Sequence, residues 1–229
     1  MPSRVPERMN LKEQVLGATR SLPVPARRAQ RNRWVDAAMI AAAAAVLAAA
    51  LWISGGTAHA ASRPPEVALW IVGGTALLAA AVTALALPRA RSMLPRSRGE
   101  LIAAMIGAPV LIGLWILFGH GAYTDPFVRT GLRCFALTAL TAPWPFAALV
   151  RLRWRPDPVH PGLTGGALGA AAGAWSAVMV ELWCPIASPG HVGAGHVAPI
   201  ALLVAAGALA GRILFRFPRL EEVSCAPPR

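Results

Sequence analysis

Residues 67–87 read VALWIVGGTALLAAAVTALAL, 21 residues with no charged side chain and with Thr75 and Thr83 as the only hydroxyls. A bilayer's hydrocarbon core is about 30 Å thick and is crossed by roughly 20 helical residues, so this stretch is long and apolar enough to span it. Lipid offers no water to backbone amides and carbonyls, and a spanning segment therefore folds as a helix that pairs them internally. Working outward, five further runs have the same character: 35–53, 101–118, 134–150, 163–183 and 193–211. The expected fold is all-α, a polytopic membrane protein of six transmembrane helices. Pro143 and Pro145 interrupt the fourth run; each lacks an amide donor, which predicts a kink or break there.

Composition excludes the soluble classes. Of 229 residues, 56% are hydrophobic and 14% charged, more apolar surface than one small water-soluble core hides. The net charge of +12 would suggest nucleic acid in a soluble protein, but its distribution points to a membrane and to no direct nucleic-acid contact. Taken from the N-terminal tail onward, alternate non-membrane segments hold 19 of the 22 Lys and Arg, and the other set holds three. The positive-inside rule then places both termini in the cytoplasm and requires an even number of spans. The expected organisation is a basic cytoplasmic arm at 1–34, a bundle at 35–211 and a cytoplasmic tail at 212–229, in a bacterial inner membrane. The 34 residues ahead of the first span are too many for a cleavable signal peptide.

Small residues predict how the helices pack. Gly165, Gly169 and Gly173 recur every four residues in the fifth span, and Gly207 and Gly211 in the sixth. Such stripes let backbones approach closely, which drives association where lipid tails are as apolar as Leu. Packing within one bundle and a homodimer seam are both served by this pattern.

Few side chains could carry chemistry. Glu181 lies within a turn of the outer end of the fifth span, with Cys184 at i+3 on the same face. Topology brings Cys134 and Arg133, at the start of the fourth span, and His191 and His196, at the approach to the sixth, to the same level. Three readings stay open: a Cys134–Cys184 disulfide, a redox- or metal-sensing thiol pair, or two unrelated buried cysteines with Glu181 paired to Arg133. The candidate sensor or disulfide residues are Cys134, Cys184, Glu181 and His196, and no metal ligand set or cofactor is assigned. Cys225 lies in the C-terminal tail, apart from both. The chain holds no HExxH, GxSxG or GxxxxGK[ST], so no enzyme is expected. A small multi-pass transporter, the alternative class, would need ionisable groups at mid-membrane, where the sequence offers almost none.

The arm carries its own signal. Asn10 can cap a helix and Glu13 can close a capping box, after which Leu11, Val15, Ala18 and Leu22 repeat as a narrow apolar stripe until Pro23 and Pro25. Met9 is an alternative start. A three-turn helix is marginal alone in water and gains stability by docking. Leu11, Glu13, Val15, Ala18 and Leu22 are therefore the candidate partner-binding residues. Arg27, Arg28, Arg31 and Arg33 could instead hold the arm on anionic lipid, at about 1 kcal/mol each, and the two roles are compatible.

The stretch Glu181-Leu182-Trp183-Cys184-Pro185-Ile186-Ala187-Ser188-Pro189, followed by His196 and a span ending Gly211-Arg212, resembles the NrsF-type membrane anti-sigma factors. Six spans and a short cytoplasmic arm also match. The family's fifth helix typically ends His-Cys-Pro-Glu, with an earlier cysteine opening the fourth, which falls on Cys134. Trp183 stands here in place of the His and Ile186 in place of the acidic residue, which removes two metal-type ligands. The resemblance implies that the arm binds an extracytoplasmic-function sigma factor, holds it at the inner membrane and represses its genes. Within the family the chain is most similar to a myxobacterial regulator of light-induced carotenoid synthesis, for which light or singlet oxygen is the implied signal.

Overall fold

The computed structural model describes residues 26–55, 64–87, 96–119, 131–153 and 159–215, with side chains from residue 34 onward. The chain forms two compact units, Met1–Ala37 and Ala38–Arg229. In the first, the described backbone is the helical run from Ala26. Every regular element among the described residues is helical: α1 (Ala26–Ile53), α2 (Pro65–Ala86), α3 (Arg98–Gly119), α4 (Leu132–Thr141), α5 (Pro143–Arg153), α6 (Pro161–Trp183), α7 (Pro189–Val192), a π-helical turn (Gly193–Val197) and α8 (Ala198–Leu214). Together they make six segments long and apolar enough to cross a membrane.

Helix ends differ from the apolar runs for local reasons. α1 begins at Ala26, ahead of the first apolar residues, because Ala-Arg-Arg-Ala-Gln is a run of strong helix formers just past Pro25. The sixth span begins at Pro189 with Ser188 as its N-cap, a position where proline's missing amide costs nothing. The fourth span breaks at Ala142 into α4 and α5, as its prolines predict. The break is slight: Ala142 keeps right-handed helical angles, its amide bonds Thr138 O at 3.0 Å, and its carbonyl accepts from Phe146 N at 3.0 Å. At the start of α3, Ser97 and Glu100 form a reciprocal capping box, with Ser97 N to Glu100 Oε2 at 3.1 Å and Glu100 N to Ser97 Oγ at 3.2 Å. Arg96 joins this corner to the end of α2 by donating to Leu87 O at 2.9 Å and to Ala84 O.

α6 is the central helix. Of its apolar stretch 83% is buried, against 22% to 39% for the spans from α2 onward. Around it the larger apolar side chains point outward: Leu69, Leu77, Leu140 and Ile213 are all exposed, as lipid-facing residues are. Indole N–H groups tie neighbours together within the bundle. Trp115 donates to Ile71 O at 3.1 Å, and Trp175 to Thr83 Oγ1 at 3.0 Å.

The glycine stripe is the contact between α6 and α8. A Cβ on Gly165 would sit 2.6 Å from Gly211 Cα and against Gly207 O, and one on Gly169 would meet Leu203 O. Gly173 continues the line to Ile200, where a Cβ would lie 3.3 Å from its Cα. The seam on which a homodimer could rest is thus taken by the chain's own last span.

Replacing Gly165 or Gly207 by Val puts side-chain atoms where a neighbouring backbone stands. Each variant is expected to lose about 1–3 kcal/mol of bundle stability in a detergent unfolding titration. Gly73→Ala is the control: nothing lies within 4 Å of the added methyl, and its stability should be unchanged or raised by a few tenths of a kcal/mol.

Candidate functional site

Two short sequence features turn four ligating side chains toward one point. The first is Cys184-Pro185. A residue before proline is pushed out of helical angles, and Cys184 has φ −100° and ψ 119° with its amide bonded to Val180 O. α6 therefore ends one residue earlier, at Trp183, and the thiol turns off the helix axis. Cys134 comes from the first turn of α4.

The second feature is the π-helical turn. Residues five apart in an α-helix are separated by about 140° around the axis, which would put His191 and His196 on different faces. A π turn holds one extra residue within an α-helix, and the one at Gly193–Val197 returns the two imidazoles to the same side. Their ring centroids are 5.5 Å apart.

The four groups converge. One ligand atom from each of Cys134, Cys184, His191 and His196 lies within 4.8 Å of all the others. His191 Nε2 is 3.4 Å from Cys134 Sγ and 3.2 Å from Cys184 Sγ. Both cysteines are free thiols. Glu181, one turn before the end of α6, places Oε1 2.8 Å from His196 Nδ1. That contact leaves Nε2 of His196 as the ring nitrogen available to the cluster. All five residues are at most 5% exposed.

Close backbone approach holds the fourth span against this turn. A Cβ on Gly131 would stand 2.6 Å from Gly195 N and 2.8 Å from His191 O, and one on Gly195 would stand 3.1 Å from Cys134 Cβ. Met179, Val180, Trp183 and Ile186 enclose the cluster, with Leu47, Ala50 and Leu51 of α1 packed on them. Trp183 Nε1 donates to Ser54 O at 2.8 Å, joining the end of α1 to the same corner.

The structure thus brings together all four candidate sensor residues, Cys134, Cys184, Glu181 and His196, and adds His191 to them. Two thiols and two imidazoles buried together can share a metal ion, or the thiols can be oxidised to a disulfide. The arm candidates Leu11, Glu13, Val15, Ala18 and Leu22 lie outside the described residues.

Comparison with known proteins places this helical bundle and its buried cluster in a regulatory class. The family model "Negative regulator of sigma F" matches residues 18–217, and the chain belongs to that NrsF family. A "Probable anti-sigma-F factor NrsF" from Azospira oryzae is 30% identical over 134 residues, covering 54% of this chain and 61% of the relative. The match thus spans less than two thirds of that relative. No solved structure matches. The family is regulatory, not enzymatic.

The two glycines generate a test of the site's geometry. Mild oxidation of the solubilised wild-type protein should crosslink Cys134 to Cys184 within the chain. Gly195→Val should slow that crosslink by about tenfold or more, because separating the helices by a methyl's width costs packing worth at least 1.4 kcal/mol; mass analysis of peptides checks it.

Proposed function

We propose that the chain is an anti-sigma factor that sequesters an extracytoplasmic-function sigma factor at the inner membrane and represses its genes. The family match over residues 18–217 carries this reading, together with the name of the Azospira oryzae relative. The arm supplies the docking element, through the stripe of Leu11, Val15, Ala18 and Leu22 with Glu13 in its capping box, while the bundle anchors it. The charge asymmetry of the loops supports cytoplasmic termini and puts the Cys134–Cys184 corner on the far face of the membrane. Tethering works in two ways: the sigma factor is covered, and it is held away from the nucleoid. As part of the same proposal, the resemblance read from the sequence extends the regulon to light-induced genes.

A transporter fits less well. Buried ionisable side chains among the described residues are Cys134, Arg153, Glu181, Cys184, His191 and His196, all at the ends of the spans or within about two turns of them. A polar path for a substrate would need such groups at mid-membrane.

Leu11→Asp with Val15→Asp should disrupt docking. Burying charge at the centre of an interface costs about 2 kcal/mol or more, a loss of roughly 30-fold in affinity. Target transcription should become constitutive while the protein still reaches the membrane. Deletion of residues 1–33 should do the same, and a sigma factor should co-purify only with the full chain. Unchanged transcription and no sigma factor on the intact chain would sink the reading.

A further inference from the structure

We propose that Cys134, Cys184, His191 and His196 form a binding site for a tetrahedral divalent ion of the zinc class, with Glu181 as the residue that orients His196. The proposal does not depend on the sigma-factor reading, since it concerns the chain's own side chains.

The donor set is the first argument. Two sulfurs and two imidazole nitrogens in tetrahedral array are a zinc-type set, whereas oxygen-rich sets suit magnesium or calcium. Bond lengths of about 2.3 Å to sulfur and 2.0–2.1 Å to nitrogen make a tetrahedron with edges of roughly 3.3–3.8 Å. Two edges already lie near that range, at 3.4 and 3.2 Å, and none of the separations exceeds 4.8 Å. Rotamer-scale movement closes the rest.

The His196–Glu181 contact is the second argument. A histidine ligand ordinarily passes its other ring proton to a carboxylate or carbonyl, which sets its tautomer and strengthens its bond to the metal. Glu181 occupies that position, 2.8 Å from Nδ1, and so directs Nε2 inward.

Charge selects the oxidation state. On binding, each thiol gives up one proton to solvent, no electron moves, and the two thiolate charges cancel a divalent ion. A monovalent ion would leave the thiolates half compensated in a site whose residues are at most 5% exposed. Four protein ligands and a closed apolar wall describe a site with no open coordination position, suited to holding helices together and not to hydrolysis. The ligands come from α4, the segment after α6, and the α7–π turn, so one ion would join the fourth, fifth and sixth spans at a single end.

The test uses the full-length chain in detergent, reduced and freed of metal, with Co(II) as the spectroscopic probe and Zn(II) as competitor. One Co(II) per chain is expected, with a thiolate-to-metal charge-transfer band and tetrahedral ligand-field bands that Zn(II) abolishes. Cys134→Ser and Cys184→Ser should each lose at least half of the charge-transfer intensity. His191→Ala and His196→Ala should keep the band at weakened affinity. Glu181→Gln should keep the wild-type spectrum but lower affinity by about 10–100-fold, the signature of a positioning residue. Zn(II) should also raise the thermal midpoint of the wild type and not of Cys134→Ser/Cys184→Ser. Each variant is first shown to elute as the wild type does, and any that does not is replaced, a cysteine variant by its alanine form and a histidine variant by its glutamine form. No Co(II) binding, equal binding by the double-cysteine variant, or thiols recovered as a disulfide from the membrane without reductant treatment would each overturn the proposal. None of these results bears on whether a sigma factor co-purifies, so the two readings fail separately.

Discussion

Backbone touching backbone along α6 and α8 is the constraint from which the rest of the bundle follows. In lipid there is no hydrophobic gain from bringing helices together, and close packing must supply the attraction. Gly165 meets Gly207 and Gly211, Gly169 meets Leu203, and Gly173 meets Ile200, which defines one antiparallel register. The same register carried about two turns further brings Glu181 to His196. Small residues at one end of the pair thus determine which polar residues face each other at the other end.

At that far end, groups that would be costly in isolation are buried together. Glu181 faces His196, His191 faces both thiols, and Trp183 and Met179 are buried beside the cysteines. The family pattern the chain resembles carries a His and an acidic residue around the cysteine of the fifth helix. Trp183 and Ile186 stand there instead, one closing the wall and donating to Ser54 O, the other packing beside Cys184. The two imidazoles of the cluster come from the following span, His191 from α7 and His196 from the π turn.

Much of this architecture was legible from residue type and spacing. Six apolar runs, the interruption at Pro143 and Pro145, and the stripe at Gly165, Gly169 and Gly173 all depend on local composition, and each has its counterpart in the structure. Topology put Cys134 and Cys184 at the same level of alternating helices but left open whether the two thiols meet. His191 was not legible as a member of the cluster. Its five-residue distance from His196 is wrong for an α-helical face, and the π turn that corrects it depends on tertiary fit: Gly195 must pass within reach of Gly131 and of Cys134 Cβ. The Glu181–His196 contact was hidden for the same reason, with Arg133 the nearer partner by level. For α1, spanning hydropathy and helical propensity part company at Ala26, since one measures what lipid accepts and the other what the backbone prefers.

The π turn has a meaning for how this chain can vary. A loop of i→i+5 geometry arises where a helix holds one residue more than its regular pitch accommodates. Ala194 is an exposed methyl between two glycines. It counts as a unit of length: without it the two histidines stand four residues apart, a spacing that a regular α-helix already keeps on one face, so the π turn and the five-residue spacing go together. Divergence among relatives at this place is therefore to be judged by insertions and deletions, not by which small residue fills the position.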